Sequence, residues 1–190
     1  MGNLVITEFV TLDGVMQDPG GAEKDAFPQG GWAFAVERGP DGDAFKMQEL
    51  EAADVQLLGR VTYEGFSKAW PSMGGNPFGE KMNSMPKVVV SSTLENATWN
   101  ATVANGDIAA IVAGLKQQYR GNILVQGSRT LARALLGAGL VDELRLMVYP
   151  QVLGNGKRLL GDGVGVDDFR FAEVGQAGGV ATVVLRREAG

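Results

Sequence analysis

The sequence predicts an α/β domain with a mostly parallel sheet and an antiparallel edge. Three observations carry this. Strand and helix patterns alternate over the first 150 residues, and strand patterns alone follow. The run Lys87-Val88-Val89-Val90-Ser91-Ser92 holds three consecutive β-branched residues, as expected of a parallel strand covered on both faces. Phe169–Val174 and Val180–Arg187 flank the glycine-rich Gly175–Gly179 and read as a terminal antiparallel hairpin. No composition shift marks a boundary, so residues 1–190 are expected to form a single domain.

Leu4 to Val10 alternates aliphatic with polar or aromatic side chains and predicts the first strand. It leads into Thr11-Leu12-Asp13-Gly14, a turn signal. Asp18 to Gly42 is rich in Gly, Pro and polar residues, with Trp32 and Phe34 embedded. That is too long for a mere connection, and it reads either as a binding loop or lid, or as a surface insertion with tucked aromatics. Asp43 to Ala53 predicts a helix with Asp43 as N-cap. Asp54 to Leu58 predicts a buried strand, Gly59-Arg60 its exit, and Val61 to Ser67 a helix that ends at Trp70-Pro71. Ser72 to Met85 reads as a loop holding a short helix near Glu80–Ser84. The strand Lys87–Ser92 and a short one at Ala101–Val103 come next. Asp107 then caps a helix with Ile108, Ile111, Val112 and Leu115 on one stripe. Ile123–Gln126 is a further strand, Leu131–Gly137 a helix and Leu144–Tyr149 a strand closed by Pro150.

Composition narrows the chemistry. The chain has 190 residues, a net charge of −5, no cysteine and no histidine. Those absences exclude disulfides, thiolate catalysis, Cys- or His-ligated metals and a Ser-His-Asp triad. No metal is therefore expected, and carboxylates, Lys, Tyr, Ser, backbone donors or a cofactor must do any chemistry. The acidic balance argues against a nucleic-acid surface, although one local pocket can still bind a small phosphate ligand. No apolar run is long enough to span a bilayer, and no signal peptide is visible, so a cytosolic chain is expected.

Three strand exits look alike: Gly59-Arg60 with Thr62, Ser91-Ser92-Thr93, and Gly127-Ser128-Arg129-Thr130. In a parallel sheet they share one edge, where open α/β folds bind ligands. Each offers backbone N–H groups, hydroxyls or a guanidinium, which suits a ligand with several phosphates such as a dinucleotide. One exit alone is equally an ordinary strand–turn–helix joint. Gly154-Asn155-Gly156-Lys157-Arg158 fails the Walker pattern, and the first strand lacks the Gly-x-Gly-x-x-Gly turn of a Rossmann site.

Leu57-Leu58-Gly59-Arg60-Val61-Thr62-Tyr63-Glu64 resembles the Gly-Arg-x-Thr-aromatic motif of dihydrofolate reductases. The resemblance is closer to the reductase domain of bacterial riboflavin biosynthesis and the small stand-alone proteins like it. Thr11–Gly14, Val90–Thr93, Val125–Leu135, Val141–Pro150 and Leu153–Gly156 match those proteins in the same order. The resemblance implies a three-layer α/β/α, dihydrofolate reductase-like sheet, NADPH as cofactor, and a homodimer. It implies hydride transfer to a C=N or C=O of a pteridine- or pyrimidine-like ring.

Carried over residue by residue, Gly59 and Arg60 stand at the 2′-phosphate of the adenosine ribose, and Thr62 and Tyr63 offer helix-start contacts to phosphate. Ser91, Ser92 and Thr93 hold the adenosine side, while Gln126, Gly127, Ser128, Arg129 and Thr130 cradle the pyrophosphate. Asp43 and Glu49 are the carboxylates on the helix from which folate enzymes draw a proton. Asp43 matches the family position better but is also the expected N-cap, and water is a further proton source. Asp13 and Gln17 lie beside the expected nicotinamide pocket, within reach of substrate. Phe45, Met47, Trp70 and Tyr149 serve either as substrate walls or as plain core. The long loop with Trp32 departs from folate enzymes and puts folate itself in doubt. A nucleotide-binding or interaction protein without turnover is the alternative on the same scaffold.

Overall fold

The computed structural model describes residues 1–22, 26–161 and 169–188. Eight strands form one sheet: β1 (Leu4–Thr11), β2 (Ala53–Gly59), β3 (Lys87–Val90), β4 (Ala101–Ala104), β5 (Asn122–Gln126), β6 (Glu143–Tyr149), β7 (Phe169–Ala177) and β8 (Val180–Arg187). Their order is β4-β3-β2-β5-β1-β6-β8-β7. The first six run parallel to their neighbours, β8 pairs antiparallel with β6, and β7 pairs antiparallel with β8. This is the mixed, mostly parallel sheet that the alternation predicts.

Parallel neighbours need crossovers, and five helices bear on them: α1 (Gly39–Glu51), α2 (Arg60–Ala69), α3 (Pro77–Ser84), α4 (Ile108–Gln118) and α5 (Arg129–Gly137). The period-2 alternation of the strands sends side chains to both faces. Leu4, Ile6, Leu57 and Val125 pack with Leu115 of α4 and Leu135 of α5 on one face. Val5 and Leu124 pack with Leu50 of α1 and Met82 of α3 on the other. Leu58 and Val89 meet Tyr63 of α2 on that second face. The layering is α/β/α, and the parallel strands β1, β2, β3 and β5 all end at one edge of the sheet.

Four boundaries differ from expectation. α1 begins at Gly39, four residues before Asp43, so Asp43 lies inside the helix and is not its cap. Gly39-Pro40-Asp41-Gly42 looks like a loop, yet Pro40 suits a first helical turn and Asp41 complements the helix dipole there. α3 begins at Pro77, with the Asn76 side chain accepting from Gly79 N at 2.9 Å, so most of the expected Ser72–Met85 loop is ordered. β3 stops at Val90, which leaves Ser91 and Ser92 beyond the strand. The C-terminal turn is only Gly178-Gly179, because Ala177 already pairs with Val180. Gly178 has φ +55°, and any Cβ there would lie 2.6 Å from the Glu37 carbonyl oxygen and the Arg38 backbone carbon. The hairpin tip therefore presses on the chain just before α1.

Within the Asp18–Gly42 segment the described aromatics split. Trp32 is buried in a short 3-10 turn, donates from its indole to the Gln17 carbonyl at 2.7 Å, and meets Tyr149 edge-on at 5.3 Å. Phe34 is exposed. The tucked-aromatic alternative describes Trp32.

Candidate functional site

The strand exits meet at one edge. Gly59 N donates to Ser128 Oγ at 2.9 Å, and Ser128 N donates to Thr62 Oγ1 at 2.8 Å. These reciprocal bonds tie the start of α2 to the start of α5. Gly127 and Ser128 both adopt left-handed backbone, φ +61° and +56°. A Cβ on Gly127 would come 3.1 Å from Thr62 Cγ2, so glycine suits both the dihedral and the space. Neither α2 nor α5 has a side-chain cap, so their opening N–H groups are left for other partners. Gly59 pairs with Val90, which places Ser91–Thr93 beside Arg60 on the same edge.

Individual residues depart from the roles the resemblance implies. Arg60 opens α2, is partly exposed, and pairs with Glu64 at 2.8 Å. Tyr63 is buried, and its hydroxyl accepts from Thr98 N at 2.7 Å. That ring packs the interior, so only its backbone can serve a phosphate. Ser91 Oγ accepts from the N–H groups of Thr93 and Leu94 and shapes a turn, while Ser92 and Thr93 are exposed. The Gln126 amide oxygen accepts from Gln56 Nε2 at 2.7 Å, which turns that side chain inward. Arg129 donates to the Arg158 carbonyl at 2.7 Å, and Thr130 is exposed.

The supposed substrate residues separate into three groups. Asp13 is a clasp. Its carboxylate accepts from the Thr11 hydroxyl at 2.6 Å, from Leu153 N and Gly154 N, and from Arg158 at 3.2 Å. Gln17 acts alike, accepting from Lys157 N at 3.1 Å. Both tie residues 153–158 to the exit of β1. Phe45 packs toward the Trp32–Tyr149 cluster and is core. Met47, Trp70 and Asp43 do come together, lining a groove of about 800 Å³ with Arg38, Met73 and Phe78.

The Thr11 hydroxyl, followed by the backbone donors of Gly154 and Leu153, holds the Asp13 pKa at about 2. Asp13 thus adds stability above its ordinary pKa of 3.8, and that contribution is lost as pH falls toward 2. Asp13→Asn is expected to lower the melting temperature at neutral pH, with the gap from wild type closing between about pH 4 and pH 2. A pH-independent gap in melting curves would refute this role for the charge.

The two carboxylates of α1 have unlike surroundings. Asp43 is exposed and paired with Arg38 at 2.7 Å, and Arg38 lies 5.5 Å over the Phe9 ring. Glu49 is fully buried, receiving Lys46 Nζ at 2.5 Å and the Thr7 hydroxyl at 2.8 Å.

Sequence reasoning passed over Lys46, Arg38 and Glu8. Glu8 sits on β1, 6% exposed, with its Oε1 lacking a partner. Burial pushes its pKa well above the ordinary carboxylate value, opposed by the Lys46 ammonium and the nearby Gly127 backbone amide. The available signal was an acid inside an otherwise apolar, β-rich strand. Among the described residues, no cluster of three or more His, Cys, Asp or Glu side chains could hold a metal ion. No helix there is long and apolar enough to cross a membrane.

The donor set fits a dinucleotide phosphate: uncapped helix starts, a glycine-backed turn, and a partly exposed arginine. Comparison with known proteins gives the family and the fold. The profile of the RibD C-terminal domain family matches residues 3–183. The uncharacterised YyaP protein of Bacillus subtilis strain 168 is 30% identical over 164 residues, 84% of this chain and 80% of that protein. A crystal structure assigned to riboflavin biosynthesis, from Shewanella sp. PV-4, superposes with TM-score 0.75 at 18% identity, covering 98% of this chain and 99% of the other. Enterococcus faecalis dihydrofolate reductase, complexed with NADP(H), superposes with TM-score 0.59 at 14% identity, covering 99% and 98%.

Proposed function

The chain belongs to the RibD C-terminal domain family, and we propose from this that it is an NADPH-dependent reductase acting on a pteridine- or pyrimidine-like small molecule. The observation that carries the reading is the Gly59–Ser128–Thr62 tie, which brings two uncapped helix starts and Arg60 to one edge. Bound NADPH would supply the hydride for a C=N or C=O of the substrate.

The chain's own residues do the rest. Arg60 exchanges Glu64 for the 2′-phosphate. The backbone at Thr62 and Tyr63 and the exposed Ser92 and Thr93 hold the adenosine side. Gly127 to Thr130 hold the pyrophosphate, with Gln126 bracing the turn from within. Met47, Trp70 and Phe78 flank a planar ring in the groove. Asp43, at the Arg38 end of that lining, relays a proton from water. Glu49, with its Oε2 held by Lys46 and Thr7, keeps the wall of α1 in place. We further propose that the protein works in the cytosol as a homodimer.

Calorimetric titration with NADPH and NADH tests the reading. NADPH is expected to bind about ten- to a hundredfold more tightly, as one charge-assisted phosphate contact allows. Failure of both to bind would remove it. The pairing of Asp43 with Arg38 supports a second reading, nucleotide binding without turnover. In that case NADPH binds, but no pteridine or pyrimidine oxidises it.

A further inference from the structure

The pairing of β1 with β5 ends at Thr7↔Gln126, whereas β1 stays paired with β6 as far as Thr11↔Tyr149. A gap in the strand pairing therefore begins on the β5 side of β1 at Glu8. It lies on the carboxyl edge, against the turn that carries Gly127 and Ser128. Strand alternation puts Glu8 on the face of Ile6 and Val10, toward α5. The Gly127 backbone amide lies beside its carboxyl, and Oε1 has no partner although Glu8 is more than nine-tenths buried. Such an atom is costly to leave unbonded. The charged groups acting on it from α1 are Lys46 and Glu49, and Lys46 is already bonded to Glu49 and Thr7 on the opposite face.

We propose that Glu8 seats the nicotinamide end of the cofactor, its free oxygen bonding the ring's carboxamide in the gap beside Gly127. This rests on the NADPH reading. A carboxamide carries both a donor and an acceptor, so it pairs with the carboxyl in either protonation state. Burial favours the neutral carboxyl, which spares the neighbouring phosphates a repulsive charge.

Two ligands separate this role from simple support of the turn. One is NADPH. The other is 2′-phospho-ADP-ribose, which is the same cofactor without its nicotinamide ring. Glu8→Ala is expected to weaken NADPH at least tenfold and leave the ring-less ligand within twofold, while Glu8→Gln keeps NADPH affinity. Equal losses for both ligands, or no loss, overturn the proposal and leave the cofactor reading standing. A wild-type protein that binds neither ligand removes that reading, and the proposal with it. Should Glu8→Ala not fold, the wild type decides through NADP⁺ and its counterpart with plain pyridine in place of nicotinamide, which lacks both the donor and the acceptor of the carboxamide. At least tenfold weaker binding of the pyridine counterpart is expected, and equal affinity overturns the proposal.

Discussion

Lys46→Met is expected to destabilise the folded chain by about 3–5 kcal/mol, the usual cost of removing one partner from a buried ion pair. Lys46 is 5% exposed and Glu49 1% exposed. The ammonium lies 2.5 Å from Glu49 Oε2, 2.7 Å from Thr7 Oγ1 and 5.1 Å from the Phe9 ring centroid. Methionine refills most of the aliphatic volume but leaves the Glu49 carboxylate with only the Thr7 hydroxyl. The other oxygen of Glu49 already lacks a partner, so the site has no spare donor to offer. Urea unfolding at neutral pH measures the loss. The double variant Lys46→Met with Glu49→Leu is expected to recover most of it, since two apolar side chains leave no buried charge. A single-variant loss below about 1 kcal/mol would show that the pair does not hold α1 to β1.

Arg60→Ala is expected to weaken NADPH binding about ten- to a hundredfold and leave NADH binding unchanged. The guanidinium is available at little cost. Its only ion pair among the described residues is with Glu64, one helical turn away and partly exposed, and such pairs hold by a few tenths of a kcal/mol. A 2′-phosphate offers two charges and bidentate geometry, worth roughly 1.5–3 kcal/mol against water. Isothermal titration of both nucleotides decides it. A parallel loss for NADH would point to a distorted α2 start, and no loss at all would place phosphate recognition elsewhere.

The elements were legible because their signals are short-range. Apolar alternation marks β1, β-branched density marks β3, and Asp107 caps α4 as its position before Ile108 predicts, accepting from Ala110 N at 2.9 Å. The misplacements have local causes too. Gly39-Pro40-Asp41-Gly42 carries turn residues that also suit a helix start, which hid four residues of α1. Gly175 and Gln176 look like turn residues but pair with Thr182 and Ala181, because antiparallel pairing tolerates them at an exposed edge.

By itself, the sequence determined the alternation of elements, the mostly parallel sheet and the three strand exits that share an edge. Those follow from hydrophobic period and from where glycine and hydroxyl residues interrupt it. The tertiary structure alone decided what each polar side chain does. Asp13 answers to Gly154, 141 residues away, and Thr7 to Glu49, 42 residues away. Glu8 faces the Gly127 backbone amide from the far end of β5, which no pattern within β1 encodes. A carboxylate's role depends on which donors the fold brings to it, and those donors lie far along the chain.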